Sequence, residues 1–257
     1  SASSIAASTD DTTPGLNIGT GLSDTPSLYV DGVPVAATYD ASTGTLTPDV
    51  ALSPGSHALS YTLTDAAGNA SGQSPALNLT IDTSAPGTPV SAPASYSDNA
   101  GSLQSATSSA TITDDNTPGL NIGSLPAGAT SAILYVDGVY VAASYDPATG
   151  TLTPTTPLAD GSHTLRYSLV DAAGNESGTS PALSLTIDTA APATPAAPSS
   201  YADNVGLDQG TNSTATSTDD TTPGLNIGSL PAGASAALLV VDGVPVAATY
   251  NPATGTL

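Results

Sequence analysis

Leu165, Tyr167 and Leu169 alternate with Thr164, Arg166 and Ser168 along GSHTLRYSLVD. This is the two-residue period of a strand with one face buried and the other wet. Leu183, Leu185 and Ile187 continue the alternation in SPALSLTIDT, and Leu59, Tyr61, Leu63, Leu77, Leu79 and Ile81 carry it about a hundred residues earlier. Those six positions are expected to lie in a core. Turn chemistry separates the short apolar runs. Val136-Asp137-Gly138-Val139 is a two-residue hairpin signal, because Asp-Gly supplies the positive φ angles of a type I′ turn. Asp146-Pro147-Ala148-Thr149-Gly150 reads as a second turn, with proline early and glycine suited to the left-handed region. No stretch has a helical period, so the pattern predicts an all-β fold of six or seven short strands per hundred residues.

The pattern also recurs. TDDTTPGLNIG at 9–19 returns as TDDNTPGLNIG at 113–123 and TDDTTPGLNIG at 218–228, spacings of 104 and 105 residues. GSHALSYTLTDAAGN at 55–69 matches GSHTLRYSLVDAAGN at 161–175. A fixed period of this kind marks repeated structural units. Proline-studded junctions, IDTSAPGTPVSAP at 81–93 and IDTAAPATPAAP at 187–198, favour extended, stiff backbone between them. Three domains are therefore expected: residues 1–85 without the counterpart of a first strand, residues 86–191 complete, and residues 192–257 lacking a C-terminal half.

Composition narrows the chemistry. The formal charge is −21, Arg166 is the single strong cation, and Glu176 is the single Glu among 22 acidic residues. Nothing is available to neutralise phosphates, so nucleic acid is excluded as a partner, and an anionic membrane surface would repel the chain. No apolar run approaches the roughly 18 residues of a membrane helix. With no Cys and no Lys, neither a disulfide nor a Lys–Asn isopeptide can hold the fold. Asp in such excess fits turns and oxygen-only metal sites, because its short carboxylate reaches local backbone; solubility is the competing explanation.

As a set, TDD-x-TPGL, VDGV, L-x-x-GSH-x-L, DAAGN-x-S and the IDT-x-AP junction cover nearly all of the sequence. They resemble the bacterial immunoglobulin-like repeats of giant adhesins and biofilm-associated surface proteins. The resemblance implies tandem immunoglobulin-like β-sandwich domains in a linear array, forming an extracellular stalk at a bacterial cell surface, with calcium at the domain junctions. It departs from that family at Leu46 and Leu152, where a larger aromatic is expected.

The residues reach calcium by their own route. The ion takes six to eight oxygens from carboxylates and carbonyls in Asp- and Asn-rich loops. Candidates at the first junction are Asp65, Asn69, Asp82, Asp98, Asn99, Asp114 and Asp115. At the second they are Asp171, Asn175, Asp188, Asp203, Asn204, Asp219 and Asp220. Each of these Asp residues has a plain alternative as a turn residue. No EF-hand spacing occurs.

His57 and His163 occupy one repeat position. A nucleophile and an orienting acid would have to lie nearby for catalysis. The better reading is a loop anchor of the tyrosine-corner kind, with Leu59 and Leu165 filling the core two residues on. With no nucleophile elbow either, the chain is expected not to be an enzyme. Its expected partners are neighbouring repeats of the same chain, and other copies in a fibre or biofilm matrix. Besides the stalk, two alternatives stand: a subunit of a self-assembling extracellular filament or sheath, and a glycan- or protein-binding module using Tyr29, Tyr135 or Tyr140.

Overall fold

The computed structural model describes residues 7–257. Among them no residue is helical, and none forms a span long and apolar enough to cross a membrane as a helix. Two compact units are present, residues 1–189 and residues 190–257. The first holds two β-sandwiches built from the first two sequence repeats.

In the first sandwich, one sheet runs in the order Ser8–Thr9, Leu77–Ile81, Gly55–Thr64, Thr25–Val30, Val33–Val35, and the facing sheet in the order Leu16–Asn17, Thr45–Pro48, Ala37–Asp40. The second sandwich repeats the five-stranded sheet as Ile112–Thr113, Leu183–Ile187, Gly161–Val170, Ser131–Val136, Val139–Val141. Its facing sheet has five strands, with Ser105–Ser108 and Tyr96–Asp98 added beside Gly119–Asn121, Thr151–Pro154 and Ala143–Asp146. In both, the short opening strand joins the last one in parallel, Thr9 beside Ile81 and Thr113 beside Ile187. All other pairings are antiparallel.

The inward alternate positions build the cores. Leu28, Leu46, Leu59 and Ile81 are fully buried in the first sandwich, and Tyr96, Leu120, Leu134, Leu152, Leu165, Leu185 and Ile187 in the second. Each such side chain contributes roughly 1.5–3 kcal/mol by leaving water. Leu46 and Leu152 fill the place where an aromatic was expected, with no exposure at all.

Of the six expected core positions, three depart from expectation. Leu77 is 54% exposed, and Tyr61 and Leu63 are half-buried. In the second sandwich Leu169 is buried and Leu183 packs on the core, where Tyr96 supplies a fully buried ring. Among the described residues the first sandwich has no counterpart of the Tyr96–Asp98 and Ser105–Ser108 strands. The counterparts of those strands fall at or before residues 1–6, outside the described residues.

The turns follow their chemistry. Asp31, Asp137 and Asp242 have φ of 52°, 52° and 51°, each followed by a positive-φ glycine, as a type I′ turn requires. Gly44 is also obligatory, since a Cβ there would stand 2.5 Å from the Gly19 carbonyl carbon. That close approach belongs to the GLNIG loop, which Tyr39 also ties down by donating its hydroxyl hydrogen to Gly19 O at 2.7 Å. Tyr145 and Tyr250 repeat this bond to Gly123 O and Gly228 O.

Residues 190–257 form a three-stranded sheet, Gly210–Ser213, Tyr201–Asp203, Gly224–Leu225, and a hairpin of Leu239–Val241 with Val244–Val246. Val241 is 47% exposed, whereas its counterpart Val136 is buried. Val136 lies against Leu165 of the long strand Gly161–Val170, which has no counterpart in this unit.

Candidate functional site: the junction between the first two repeats

The Asp-Ala-Ala-Gly-Asn loop folds on its own aspartate. Asp171 Oδ1 accepts the backbone N–H groups of Ala173, Gly174 and Asn175 at 2.8–2.9 Å, and Oδ2 accepts Asn175 Nδ2 at 2.9 Å. In the first repeat, Asp65 accepts Ala67 N, Asn69 N and Asn69 Nδ2 in the same way. The Asn side-chain amide, followed by these backbone donors, favours the charged form and holds both carboxyls below the usual carboxylate range. Small residues follow from geometry, because the backbone must wrap around one short side chain.

In the second repeat this loop also grips the first. Asn175 Nδ2 donates to Asp82 O at 2.7 Å, and Gly178 N donates to Thr88 Oγ1 at 3.2 Å. Asp10 N donates to Ala173 O at 3.2 Å. Ala173 and Ser177 are buried, while their counterparts Ala67 and Ser71 are exposed. The contact is close enough to select glycine: a Cβ on Gly178 would stand 2.8 Å from Thr88 Oγ1 and 3.1 Å from its Cγ2, whereas one on Gly72 would meet nothing.

This arrangement regroups the carboxylates expected at the first junction. Gly55 pairs with Ile81, so Asp82 leaves the sheet at the Gly55 end. Asp65 follows Thr64, at the other end of a ten-residue strand and about 30 Å away at strand rise. The structure therefore brings Asp82 to Asp171 and Asn175, and leaves Asp65 and Asn69 at the opposite end of their sandwich. The spatial order was not legible because strand polarity decides it, and polarity leaves no mark in composition.

Asp98, Asp114 and Asp115 sit with the exit of the second sandwich. Thr113 Oγ1 donates to Asp98 Oδ2 at 2.8 Å, and Asp188 N donates to Thr113 O at 2.8 Å. Asp115, 1% exposed, accepts Thr117 N on Oδ1 and Asn99 N on Oδ2. Asp114 lies against Gly101, where an added Cβ would overlap its carboxylate. The pattern returns in residues 190–257: Asp203 accepts Thr218 Oγ1, Asp220 accepts Thr222 N and Asn204 N, and Asp219 lies against Gly206. Among the described residues no group of three or more His, Cys, Asp or Glu side chains is arranged to hold a metal ion. Asp98, Asp115, Asp203 and Asp220 are taken up by backbone and threonine donors.

A family model described as bacterial Ig-like domain matches residues 2–83 and again 91–189. The chain belongs to the bacterial Ig-like domain family. The two matched Ig-like regions coincide with the two sandwiches, and the unmatched segment between them is the proline-rich connection. No curated protein matches the chain. Among solved structures, the fibronectin(III)-like modules of Clostridium thermocellum CbhA align with 11% identity and a TM-score of 0.38, over 70% of this chain and 87% of that one. A Bacteroides ovatus protein, SGBP-B of the mixed-linkage glucan utilization locus, solved with a mixed-linkage heptasaccharide, aligns with 18% identity and a TM-score of 0.25 over 70% of this chain. The chain spans 43% of that protein's length.

Sequence reasoning missed Asp10, Thr88 and Gly178 as junction residues. A signal existed in the glycine three residues beyond DAAGN, which recurs as Gly72 and Gly178. Its purpose appears only where a second repeat lies against it.

Proposed function

We propose that these Ig-like repeats form a structural segment of an extracellular stalk at a bacterial cell surface, holding other parts of a longer protein at a distance. The observation that carries this reading is the fastening of the second repeat to the first through Asn175, Gly178 and Asp10. A spacer needs each unit to constrain the next, and domains joined by a linker alone move freely by default. Near-identity of the repeats favours a spacer too, since a specialised binder diverges at its contact residues.

Calcium at the repeat ends is a separable part of the proposal. Its support is the Asp-rich end of the second sandwich, where Thr113 links the Asp98 carboxylate to the backbone of Asp188, with net charge −21 to offset. The test is small-angle scattering and thermal melting of the chain in chelator and in millimolar calcium, on wild type and Asn175→Ala. A stalk predicts larger dimensions for wild type than a freely jointed chain gives, and a change in the Asn175→Ala variant. A ligand binding the native state at a hundredfold excess over Kd adds about 2.7 kcal/mol. Identical melting in the two buffers removes calcium and leaves the stalk. Freely jointed scattering in both buffers removes the stalk.

A further inference from the structure

Each of the first two repeats contains an imidazole with acceptors on both nitrogens. His57 Nδ1 stands 2.8 Å from Asp31 Oδ2 and Nε2 stands 2.8 Å from Ser53 O. His163 repeats this at 2.7 Å from Asp137 Oδ2 and 2.9 Å from Ala159 O. A backbone carbonyl can only accept, and so can an ionised carboxylate. A neutral imidazole carries one N–H and would leave one contact as two lone pairs facing each other. Both contacts are satisfied together only when both nitrogens carry hydrogen.

The aspartate in each pair sits at the tip of the hairpin. Asp31 and Asp137 are the positive-φ residues of the two Asp-Gly turns. The second oxygen of each accepts a backbone N–H from the neighbouring long strand, Ala58 N and Thr164 N, at 2.8 Å. Thus the carboxylate ties the turn to that strand, and the imidazole ties the carboxylate to the loop before it. The shallow pocket that His163 lines is otherwise bounded by Thr111, Ser162, Thr164, Ser184, Leu185 and Thr186, none of which titrates in this range. Asp160, the carboxylate nearest in sequence, accepts Thr189 N and Oγ1. On the strand opposite His57, Leu77–Ile81 offers Leu79 and no charged residue. Asp49, on the approach to Ser53, accepts Thr38 Oγ1.

We propose that His57 and His163 are doubly protonated imidazolium ions in the folded repeats at neutral pH, and that each is a clasp holding the Asp-Gly hairpin tip to the adjacent strand and loop, released when the imidazole loses a proton. The clasp is charged between the range in which Asp31 and Asp137 protonate and the range in which the imidazoles lose a proton. Direction of shift agrees: hydrogen bonding to the aspartate, then to the carbonyl, raises both histidines above their ordinary value near 6.5, against a smaller opposing effect of burial. The two fasteners also supply cations to a chain whose only other strong one is Arg166.

The test is NMR titration of histidine-labelled full-length chain, wild type and Asp137→Asn. Asn tolerates the left-handed turn position, and it removes the charge facing His163 while leaving the His57 pair untouched as an internal reference. The expected result is a cationic signature at both wild-type imidazoles at pH 7, with midpoints above the ordinary histidine value. In Asp137→Asn the His163 midpoint falls while that of His57 stays. Amide-exchange protection at Thr164 should drop in step with the His163 midpoint. A neutral tautomer at pH 7 in wild type overturns the proposal. So does a His163 midpoint that ignores the substitution, or Thr164 protection that is flat through the titration. If Asp137→Asn does not fold, the wild-type titration and the Thr164 amide decide alone.

Discussion

Replacing Gly178 by Ala adds one methyl group to the interface between the first two repeats. The added Cβ stands 2.8 Å from Thr88 Oγ1, 3.1 Å from Cγ2 and 3.5 Å from Cβ. Any staggered rotamer of the threonine leaves at least one γ atom facing the added methyl, so the side chain and the Asp82–Thr88 segment must retreat with it. Retreat weakens the Gly178 N to Thr88 Oγ1 bond and draws Asp82 O away from Asn175 Nδ2. Overpacking of a close contact costs about 1–3 kcal/mol, and loss of a hydrogen bond about 1 kcal/mol. Since the junction can open instead of straining, the cost is capped near the loss of its two hydrogen bonds, about 1–2 kcal/mol. Gly72→Ala is the matched control: its Cβ meets nothing within 4 Å, and reduced freedom of the unfolded chain makes it neutral or stabilising by about 0.4–1 kcal/mol. Chemical unfolding with hydrogen exchange at Ala173 and Asn175 reads both. If the two variants behave alike, the repeats are not fastened at this point in solution.

Leu152→Ala empties a fully buried position and should destabilise its sandwich by about 2–5 kcal/mol in denaturant melts; Leu257→Ala, at the same motif position but half-buried, should cost less. Melting temperature should decline as pH rises above the ordinary histidine value, through the raised imidazole range of His57 and His163. The sign follows from linkage: with folded pKa above unfolded pKa, the stabilisation is complete below the unfolded value and disappears above the folded one. On the acid side the lowered carboxyls of Asp31, Asp137, Asp65 and Asp171 give the opposite slope, so stability should fall as pH drops through their folded range. A melting curve flat across both limbs would contradict these assignments.

Alternation of Leu and Tyr with polar residues determined the strands, because a half-buried strand has a period of two whatever surrounds it. Asp-Gly determined the hairpin turns, because few other pairs accept two positive φ angles. The first two sequence repeats each correspond to one sandwich. Tertiary structure decided how much water each inward residue loses: Leu77 and Leu183 share a motif position, yet one is exposed and the other packs beneath a sheet that carries Tyr96. It also decided which carboxylates meet. Asp65 and Asp82 are 17 residues apart in sequence but lie at opposite ends of a sandwich, while Asp82 and Asn175 are 93 apart and share a hydrogen bond. The partners of His57 and His163 were hidden for the same reason. Each aspartate lies 26 residues upstream, and only the pairing of two strands brings its carboxylate against the ring.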